Sequence, residues 1–144
     1  MLKREWTGAR LCDIASTFRS GPVDARVSHV AFYLRANCDK RMCVRDMSRW
    51  VNLSDSHLAH LFRQEAGVSL QRFLKNVRLE RSCELLETTY LSVKEVMAQV
   101  GFNDPSHFVR EFHKRFGETP REYRSHHGQQ TAGIANGAVL RSRI

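Results

Sequence analysis

A long stretch without proline or glycine, residues 69–88, constrains the fold more than any other part of the chain. Its sequence, SLQRFLKNVRLERSCELLET, predicts one helix of roughly five turns. The helix carries two apolar half-stripes with i, i+3, i+4, i+7 spacing: Leu70, Phe73, Leu74 and Val77, then Leu79, Ser82, Cys83 and Leu86. At about 100° per residue the two half-stripes lie on opposite sides of the helix. A helix with two buried faces joins two small cores, so we predict two subdomains around a bridging helix.

The segments before and after this helix repeat one another with a period of about 50 residues. Each contains a short helix, a turn and a second helix, and each second helix ends at a glycine, Gly67 or Gly117. The second helices are predicted at about 55–66 and 105–116. Around the turns, Leu53-Ser54-Asp55-Ser56-His57-Leu58 matches Phe102-Asn103-Asp104-Pro105-Ser106-His107-Phe108, with Pro105 as a one-residue insertion. Because the pattern is duplicated, it predicts two helix-turn-helix subdomains.

Capping residues mark the starts of the other helices. Asp24 precedes a helix from about 25 to 37, and Ser92 with Glu95 forms a capping box before another. Thr119 and Pro120 start a last short helix. The chain is therefore predicted to be all-α, with two helix-turn-helix subdomains, a long bridging helix and about seven helices.

The charge balance is basic, with 23 Lys and Arg against 15 Asp and Glu and a net charge of +8. A polyanionic partner follows as the leading expectation, with nucleic acid ahead of a membrane surface. The chain has no apolar run of about 18 residues. Its first ten residues, MLKREWTGAR, lack the apolar region of a secretory signal. We therefore expect a cytoplasmic protein, associated with the nucleoid and without a membrane partner.

One set of cysteines and histidines has a spacing close to that of a zinc finger. Cys38, Cys43, His57 and His60 give C-x4-C-x13-H-x2-H. The spacing between the histidines is shorter than usual for zinc, and the segment follows a helix-turn-helix pattern instead of a β-hairpin. We expect no metal and no cofactor, and we interpret the pair His126-His127 as tail composition.

Motifs in both halves carry a family resemblance. They are Leu58-x-x-Leu61-Phe62-x-x-x-x-Gly67, Arg78-Leu79, and the run from Val100-Gly101-Phe102 through Ser106-His107-Phe108, Phe112, Phe116-Gly117 and Thr119-Pro120 to Tyr123-Arg124. Over about residues 24–125 the chain resembles the DNA-binding domain of the AraC/XylS family. It departs from the family pattern at Asn52, Ser82 and Met97, where Gly, Ala and Ala are usual. The resemblance implies a bacterial transcription regulator, most often an activator.

The resemblance also predicts a domain organisation. We expect a loosely ordered leader at 1–22, helix-turn-helix subdomains at 23–68 and 89–125, the bridging helix at 69–88 and a disordered tail at 126–144. Only about 22 residues precede the domain, so the chain is similar to the small stand-alone members of the family.

Recognition helices read bases with outward side chains near their N-termini. In the first subdomain the resemblance assigns base-facing positions to Ser56, Ala59 and His60. Arg63 lies one turn further on and is expected to reach a base or a phosphate. In the second subdomain the outward residues after removal of the buried positions are Pro105, Ser106, Val109, Arg110 and Lys114. Arg110 is the strongest candidate because arginine can bind guanine through two hydrogen bonds.

Other residues are expected at the phosphates or within the turns. Arg45 and Lys94 lie at the starts of the two short helices, and Lys114 lies further along the second recognition helix. We predict that these three contact DNA phosphates. His57 and His107 are predicted to brace the turns instead of contacting bases.

The bridging helix is roughly 30 Å long, close to the separation of successive major grooves, about 34 Å. We therefore expect a monomer that places both recognition helices on double-stranded DNA, bends it and contacts RNA polymerase. One alternative is an interaction module that has lost specific DNA binding and titrates a partner regulator. An enzyme is not expected, because no phosphate loop, G-x-S-x-G or H-E-x-x-H motif is present.

Overall fold

The computed structural model of the chain describes residues 23–128. Within this range the chain forms seven α-helices and no strand, which confirms the all-α prediction. The helices are α1 (Ala25–Ala36), α2 (Val44–Trp50), α3 (Asp55–Ala66), α4 (Leu70–Thr88), α5 (Val93–Gln99), α6 (Pro105–Phe116) and α7 (120–128). The predicted leader, 1–22, and residues 129–144 of the predicted tail lie outside the described residues.

The chain divides into two compact units, and the division falls inside α4, between Asn76 and Val77. The first unit contains α1, α2, α3 and the start of α4. The second unit contains the rest of α4 with α5, α6 and α7, and it also includes the short loop Cys38–Lys40. The helix predicted at 69–88 therefore supplies residues to both units. Ser69 lies just before the observed helix α4 and caps it, since the Ser69 hydroxyl oxygen accepts a hydrogen bond from the Arg72 backbone N–H at 3.2 Å.

The core of the first unit is built from the inward faces of its helices. Phe62 of α3 and Phe73 of α4 meet edge to face, with ring centroids 5.3 Å apart. The other buried apolar residues are Val27, Val30, Ala31, Leu34, Met47, Leu58, Ala66 and Leu70. Their spacing along α1 and α3 follows the helical period, so burial of these faces orients the outward face of α3 toward solvent.

The second unit has its own core, rich in aromatic residues. Phe108 and Phe112 of α6 are fully buried, and Phe112 contacts Tyr123 of α7 edge to face at 5.5 Å. Leu79, Cys83, Leu85 and Leu86 of α4 pack against them, with Val96, Met97, Val100 and Phe102. Met97 stands where the AraC/XylS pattern that the sequence resembles has alanine, and it is only 7% exposed, so the core accommodates its larger side chain. Ser82 is buried too, and its hydroxyl donates to the Leu79 carbonyl oxygen at 2.6 Å.

The last helix, α7, continues to residue 128, three residues beyond the predicted end of the second subdomain at 125. His127 stacks on Tyr123 with ring centroids 4.3 Å apart, and His126 Nδ1 lies 2.6 Å from Glu118 Oε2. Tyr123 in turn donates its hydroxyl to Glu87 Oε1 at 2.5 Å. These contacts hold the end of α7 in the second unit, so the two histidines belong to the domain and the tail interpretation is wrong for them.

Candidate nucleic-acid interface

The first candidate surface is the outward face of α3. Ser54 caps the helix by accepting a hydrogen bond from the His57 backbone N–H at 3.2 Å, and Gly67 ends it with a φ of 73°. Leu58, Phe62 and Ala66 are buried. The four residues predicted to face bases from this helix are all exposed: Ser56, Ala59, His60 and Arg63. The observed bounds of α3, Asp55–Ala66, confirm the predicted span of 55–66.

The turn before α3 is fixed by a left-handed residue and a polar contact. Asn52 has a φ of 57°, and the Leu53 backbone N–H donates to the Ser48 carbonyl oxygen at 2.8 Å. The Ser48 hydroxyl, which is buried, donates to the Asp55 carboxylate and lies 3.0 Å from the Arg45 carbonyl oxygen. No sequence motif reveals this pair. It ties the middle of α2 to the first residue of α3, and therefore fixes where α3 begins.

The second candidate surface is the outward face of α6. Asp104 caps it through the Ser106 backbone N–H at 2.9 Å, Pro105 is its first residue, and Gly117 ends it with a φ of 80°. The predicted contact residues of this helix are all exposed: Pro105, Ser106, Val109, Arg110 and Lys114. Val109 is 37% exposed, an apolar side chain on an otherwise polar face, which suits contact with a thymine methyl group. The observed bounds, Pro105–Phe116, confirm the predicted span of 105–116.

The two turns differ in length, and the structure locates the extra residue. Asp104 caps α6 as Ser54 caps α3, and Pro105 is the first helical residue as Asp55 is. Gly101, with a φ of 89°, corresponds to Asn52 in the shorter turn. The additional residue is therefore Asn103, in the turn, and the assignment of the insertion to Pro105 is wrong. A proline can start a helix but need not lengthen the turn before it.

The phosphate candidates lie near helix starts. Arg45 is the second residue of α2, Lys94 is the second residue of α5, and both are exposed. At α5 the Ser92 backbone N–H donates to Glu95 Oε2 at 2.7 Å. Hydrogen bonds from the Ser92 hydroxyl and backbone hold the pKa of Glu95 below its usual range. A carboxylate therefore lies in the first turn of α5 with Lys94, and Asp46 lies in the first turn of α2 with Arg45. The phosphate contacts of Arg45 and Lys94 stay predictions.

The two histidines predicted to brace the turns have different surroundings. His107 is half-buried, its ring centroid lies 5.8 Å from that of Phe102, and its Nε2 lies 3.9 Å from Glu111 Oε1. His57 is exposed and reaches the turn through its backbone N–H. The contact with Phe102 is consistent with a bracing role for His107, and its role and that of His57 stay predictions.

Three further findings concern the kinds of site that the described residues hold. Across residues 23–128, no group of three or more His, Cys, Asp and Glu side chains is arranged to hold a metal ion. Cys38 and Cys43 are free cysteines. None of the helices in this range is both long and apolar enough to span a membrane.

Two helix-turn-helix units, each presenting an exposed second helix, define the class of a DNA-binding helix-turn-helix protein. Comparison with known families gives the particular family. The family model described as "Helix-turn-helix domain" matches residues 47–126, which is more than half of the chain. The chain belongs to this AraC/XylS-type helix-turn-helix family.

Two curated relatives agree with this membership. The chain is 32% identical to the "Lactose operon transcription activator" of Staphylococcus xylosus over 104 residues, covering 72% of this chain and 37% of the relative. It is 34% identical to the "Arabinose operon regulatory protein" of Salmonella typhimurium over 105 residues, with 72% and 37% covered. The chain thus spans little more than a third of the length of these relatives.

One solved structure similar to the chain is the DNA-binding domain of AdpA, a global transcriptional factor, in complex with a target DNA. It superposes with a TM-score of 0.68 over 74% of this chain and 96% of the other, at 22% sequence identity. At that identity the likeness supports the fold.

Proposed function

We propose that the chain is a sequence-specific DNA-binding transcription regulator that inserts α3 and α6 into successive major grooves of double-stranded DNA. The observation that carries the proposal is the duplicated geometry: two capped helices of 12 residues, Asp55–Ala66 and Pro105–Phe116, each following a turn with a left-handed residue. In each helix the buried face packs inside its own unit, and short or basic side chains near the N-terminus are exposed. Major-groove readers use this arrangement.

Charge and family membership support the same function. The net charge of +8 favours a polyanion, and DNA phosphates supply most non-specific affinity. Two curated relatives are named for the operons that they regulate, and one of them is named an activator. We therefore propose an activator that acts in the cytoplasm, binds its site as a monomer and contacts RNA polymerase. We propose no catalytic activity.

The two recognition helices are expected to contribute unequally. On α6, Arg110 lies in the second turn, beside Val109, and Lys114 follows one turn later. On α3 the first basic residue is Arg63, in the last turn, and the earlier outward positions hold Ser56, Ala59 and His60. Because a bidentate arginine contact with guanine discriminates strongly between bases, α6 should dominate specificity.

Selection of bound sequences from a random duplex pool tests the proposal. The selected duplex and a scrambled duplex of equal composition are then titrated with the chain over a salt series. A specific regulator loses affinity for both as salt rises but keeps a large preference for the selected duplex. If the two duplexes bind equally at every salt concentration, the chain is better described as an interaction module that titrates a partner regulator.

A control variant and a second assay complete the experiment. Arg81→Ala removes one positive charge from an exposed position on α4, outside both recognition helices, where Arg81 pairs with Glu84 at 2.5 Å. It controls for net charge when variants of α3 and α6 are compared. A protection assay tests the monomer proposal, since a monomer with two different recognition helices gives an asymmetric footprint. A two-fold symmetric footprint would contradict it.

A further inference from the structure

A short loop between α1 and α2 is part of the second unit. Residues Cys38–Lys40 lie in that unit, although the helices on either side of them along the chain belong to the first. Arg78 of α4 holds the loop through two backbone acceptors. Its Nε donates to the Cys38 carbonyl oxygen at 2.6 Å, and its Nη2 donates to the Lys40 carbonyl oxygen at 3.1 Å. The guanidinium is thus fixed at two points, which a planar group with several donors can achieve.

The loop held by Arg78 lies directly against Gly101. A Cβ added at Gly101 would lie 2.9 Å from the Asp39 carbonyl oxygen, 3.1 Å from the Cys38 carbonyl oxygen and 3.2 Å from Arg78 Cζ. Two of these neighbours are backbone atoms, which cannot rotate away. The backbone of Gly101 therefore fits against the loop because glycine has no side chain.

The equivalent position in the first unit shows that a turn of this shape does not by itself require glycine. Asn52 also has a positive φ, 57°, and carries a side chain. At Gly101 glycine is required for a second reason, because the loop lies too close to leave room for a side chain. Burial supports this assignment: Cys38 is only 7% exposed, and desolvation lowers the pKa of Arg78 while Cys38 and Asp39 oppose the shift.

Gly101 is followed by the residues that set the start of α6. The Phe102 backbone N–H donates to the Met97 carbonyl oxygen at 3.0 Å, and the Phe102 ring packs against Phe108 with centroids 5.0 Å apart. Asn103 and the capping Asp104 come next. A shift of Gly101 would therefore move the first turn of α6, which carries Pro105 and Ser106.

We propose that Arg78 is a positioning residue for DNA recognition by the second unit: it holds the Cys38–Lys40 loop against Gly101 and thereby fixes the turn from which α6 begins. This inference rests on the proposed function, because it assumes that α6 reads bases. Arg78 itself contacts neither base nor phosphate in this account. Its substitution should therefore change discrimination between bases at the part of the site read by α6, and spare the part read by α3.

The test compares Arg78→Lys and Arg78→Ala with the unchanged chain. Base pairs read by each helix are first assigned with Arg110→Ala and His60→Ala, each of which should relax specificity at its own positions. Duplexes with single substitutions are then titrated with the Arg78 variants. In Arg78→Ala we expect discrimination between correct and substituted base pairs to fall about tenfold at the α6 positions, which is comparable to the loss of one base contact. At the α3 positions this discrimination should stay within about twofold of that of the unchanged chain. Lysine retains the charge but lacks a planar group with several fixed donors. The discrimination of Arg78→Lys at the α6 positions should therefore lie between that of Arg78→Ala and that of the unchanged chain.

Hydrogen exchange provides a second measurement that does not depend on DNA. In Arg78→Lys the amides of Gly101 and Phe102 should exchange faster, while the amide of Leu53 in the other turn should not change. Arg78→Lys keeps the helix and the charge, so it remains informative even if Arg78→Ala does not fold. Equal loss of discrimination at both sets of positions, or unchanged exchange at Gly101 and Phe102, would overturn the inference.

The two proposals can fail separately. If the unchanged chain selects no duplex, the proposed function is overturned, and so is the role of Arg78 in DNA recognition. Hydrogen exchange at the Gly101 amide still decides whether Arg78 holds the turn in place. If the chain selects a duplex but discrimination is insensitive to Arg78, only the positioning role is overturned.

Discussion

Asn52 and Gly101 occupy the same place in two turns and both have left-handed backbone, with φ of 57° and 89°. Their surroundings explain why one is asparagine and the other glycine. Asn52 is exposed, and asparagine tolerates this conformation better than most residues with a side chain. Gly101 lies against the carbonyl oxygens of Cys38 and Asp39, which leave no room for a Cβ. The turn in the first unit thus needs only a residue that tolerates a positive φ, whereas the turn in the second unit also needs a residue without a Cβ.

Gly101→Ala should destabilise the protein more than Gly117→Ala. Both glycines have positive φ, so each alanine has a conformational penalty of about 1–2 kcal/mol. At Gly117 no atom lies within 4 Å of an added Cβ, whereas at Gly101 the added Cβ meets backbone. We expect a further loss of about 1–3 kcal/mol at Gly101 from this overpacking. Urea unfolding followed by circular dichroism measures both variants, and equal losses would contradict the assigned role of the loop.

The Ser48–Asp55 hydrogen bond should contribute measurable stability to the first unit. Ser48 is buried, so Ser48→Ala removes a satisfied polar contact, with an expected loss of about 1 kcal/mol. A double-mutant cycle with Asp55→Ala, which removes the acceptor, separates the pair from other effects of each change, with an expected coupling of about 0.5–1.5 kcal/mol. The corresponding positions of the second unit hold Met97 and Pro105, so no such bond forms there. A coupling energy near zero would show that the contact adds no stability.

Features encoded locally could be predicted from the sequence, and the bounds of α3 and α6 are the clearest example. Ser54 and Gly67, and then Asp104 and Gly117, mark both ends of each helix by short-range rules. The exposed faces of α3 and α6 followed from the same periodicity. The side of each helix that carries the apolar residues is buried in the core, so the opposite side is the one exposed to solvent.

Contacts between residues distant in sequence could not be predicted in this way. Arg78 and Cys38 are 40 positions apart, and only the folded chain brings the guanidinium to that carbonyl oxygen. The Arg78-Leu79 pair was visible as part of a family motif, but its hydrogen-bond acceptors are backbone atoms and have no residue signature. Ser48 and Asp55 are closer, yet no residue pattern predicts that the hydroxyl of a serine within α2 donates to the first residue of α3. The continuation of α7 through His127 depends on stacking with Tyr123, which a tail composition does not reveal.

The capping box of α5 should make stability depend on acid pH. Hydrogen bonds from the Ser92 hydroxyl and backbone lower the pKa of Glu95 in the folded state. A carboxylate with a lowered folded pKa stabilises the protein fully above its unfolded pKa, and this contribution is lost as the pH falls through the folded value. Glu95→Gln should therefore lower Tm at pH 7, where the charged carboxylate stabilises the unchanged chain, and flatten the fall in Tm below about pH 5, so that the two proteins converge at acid pH.

The Ser92→Ala variant serves as the matched control for this pH dependence. It removes the hydroxyl, the largest cause of the lowered Glu95 pKa, and leaves the carboxyl group in place. Thermal unfolding from about pH 7 to pH 3 should show a shallower acid decline in this variant as well. If Glu95→Gln and the unchanged chain decline in parallel below pH 5, Glu95 is not a source of acid sensitivity.

Arg110→Ala and Lys114→Ala should have different effects on DNA binding, although each removes one positive charge from the exposed face of α6. Arg110 is predicted to contact a base, so its loss should weaken binding to the selected duplex by about 1–3 kcal/mol and relax specificity at one position. Lys114 is predicted to contact a phosphate, so its loss should weaken binding to all duplexes alike and reduce the salt slope by about 1. Titrations of selected, singly substituted and scrambled duplexes at several salt concentrations distinguish these outcomes, with Arg81→Ala as the control for net charge. If Arg110→Ala weakened the selected and scrambled duplexes equally, Arg110 would be a phosphate contact and base recognition by α6 would rest on Ser106 and Val109.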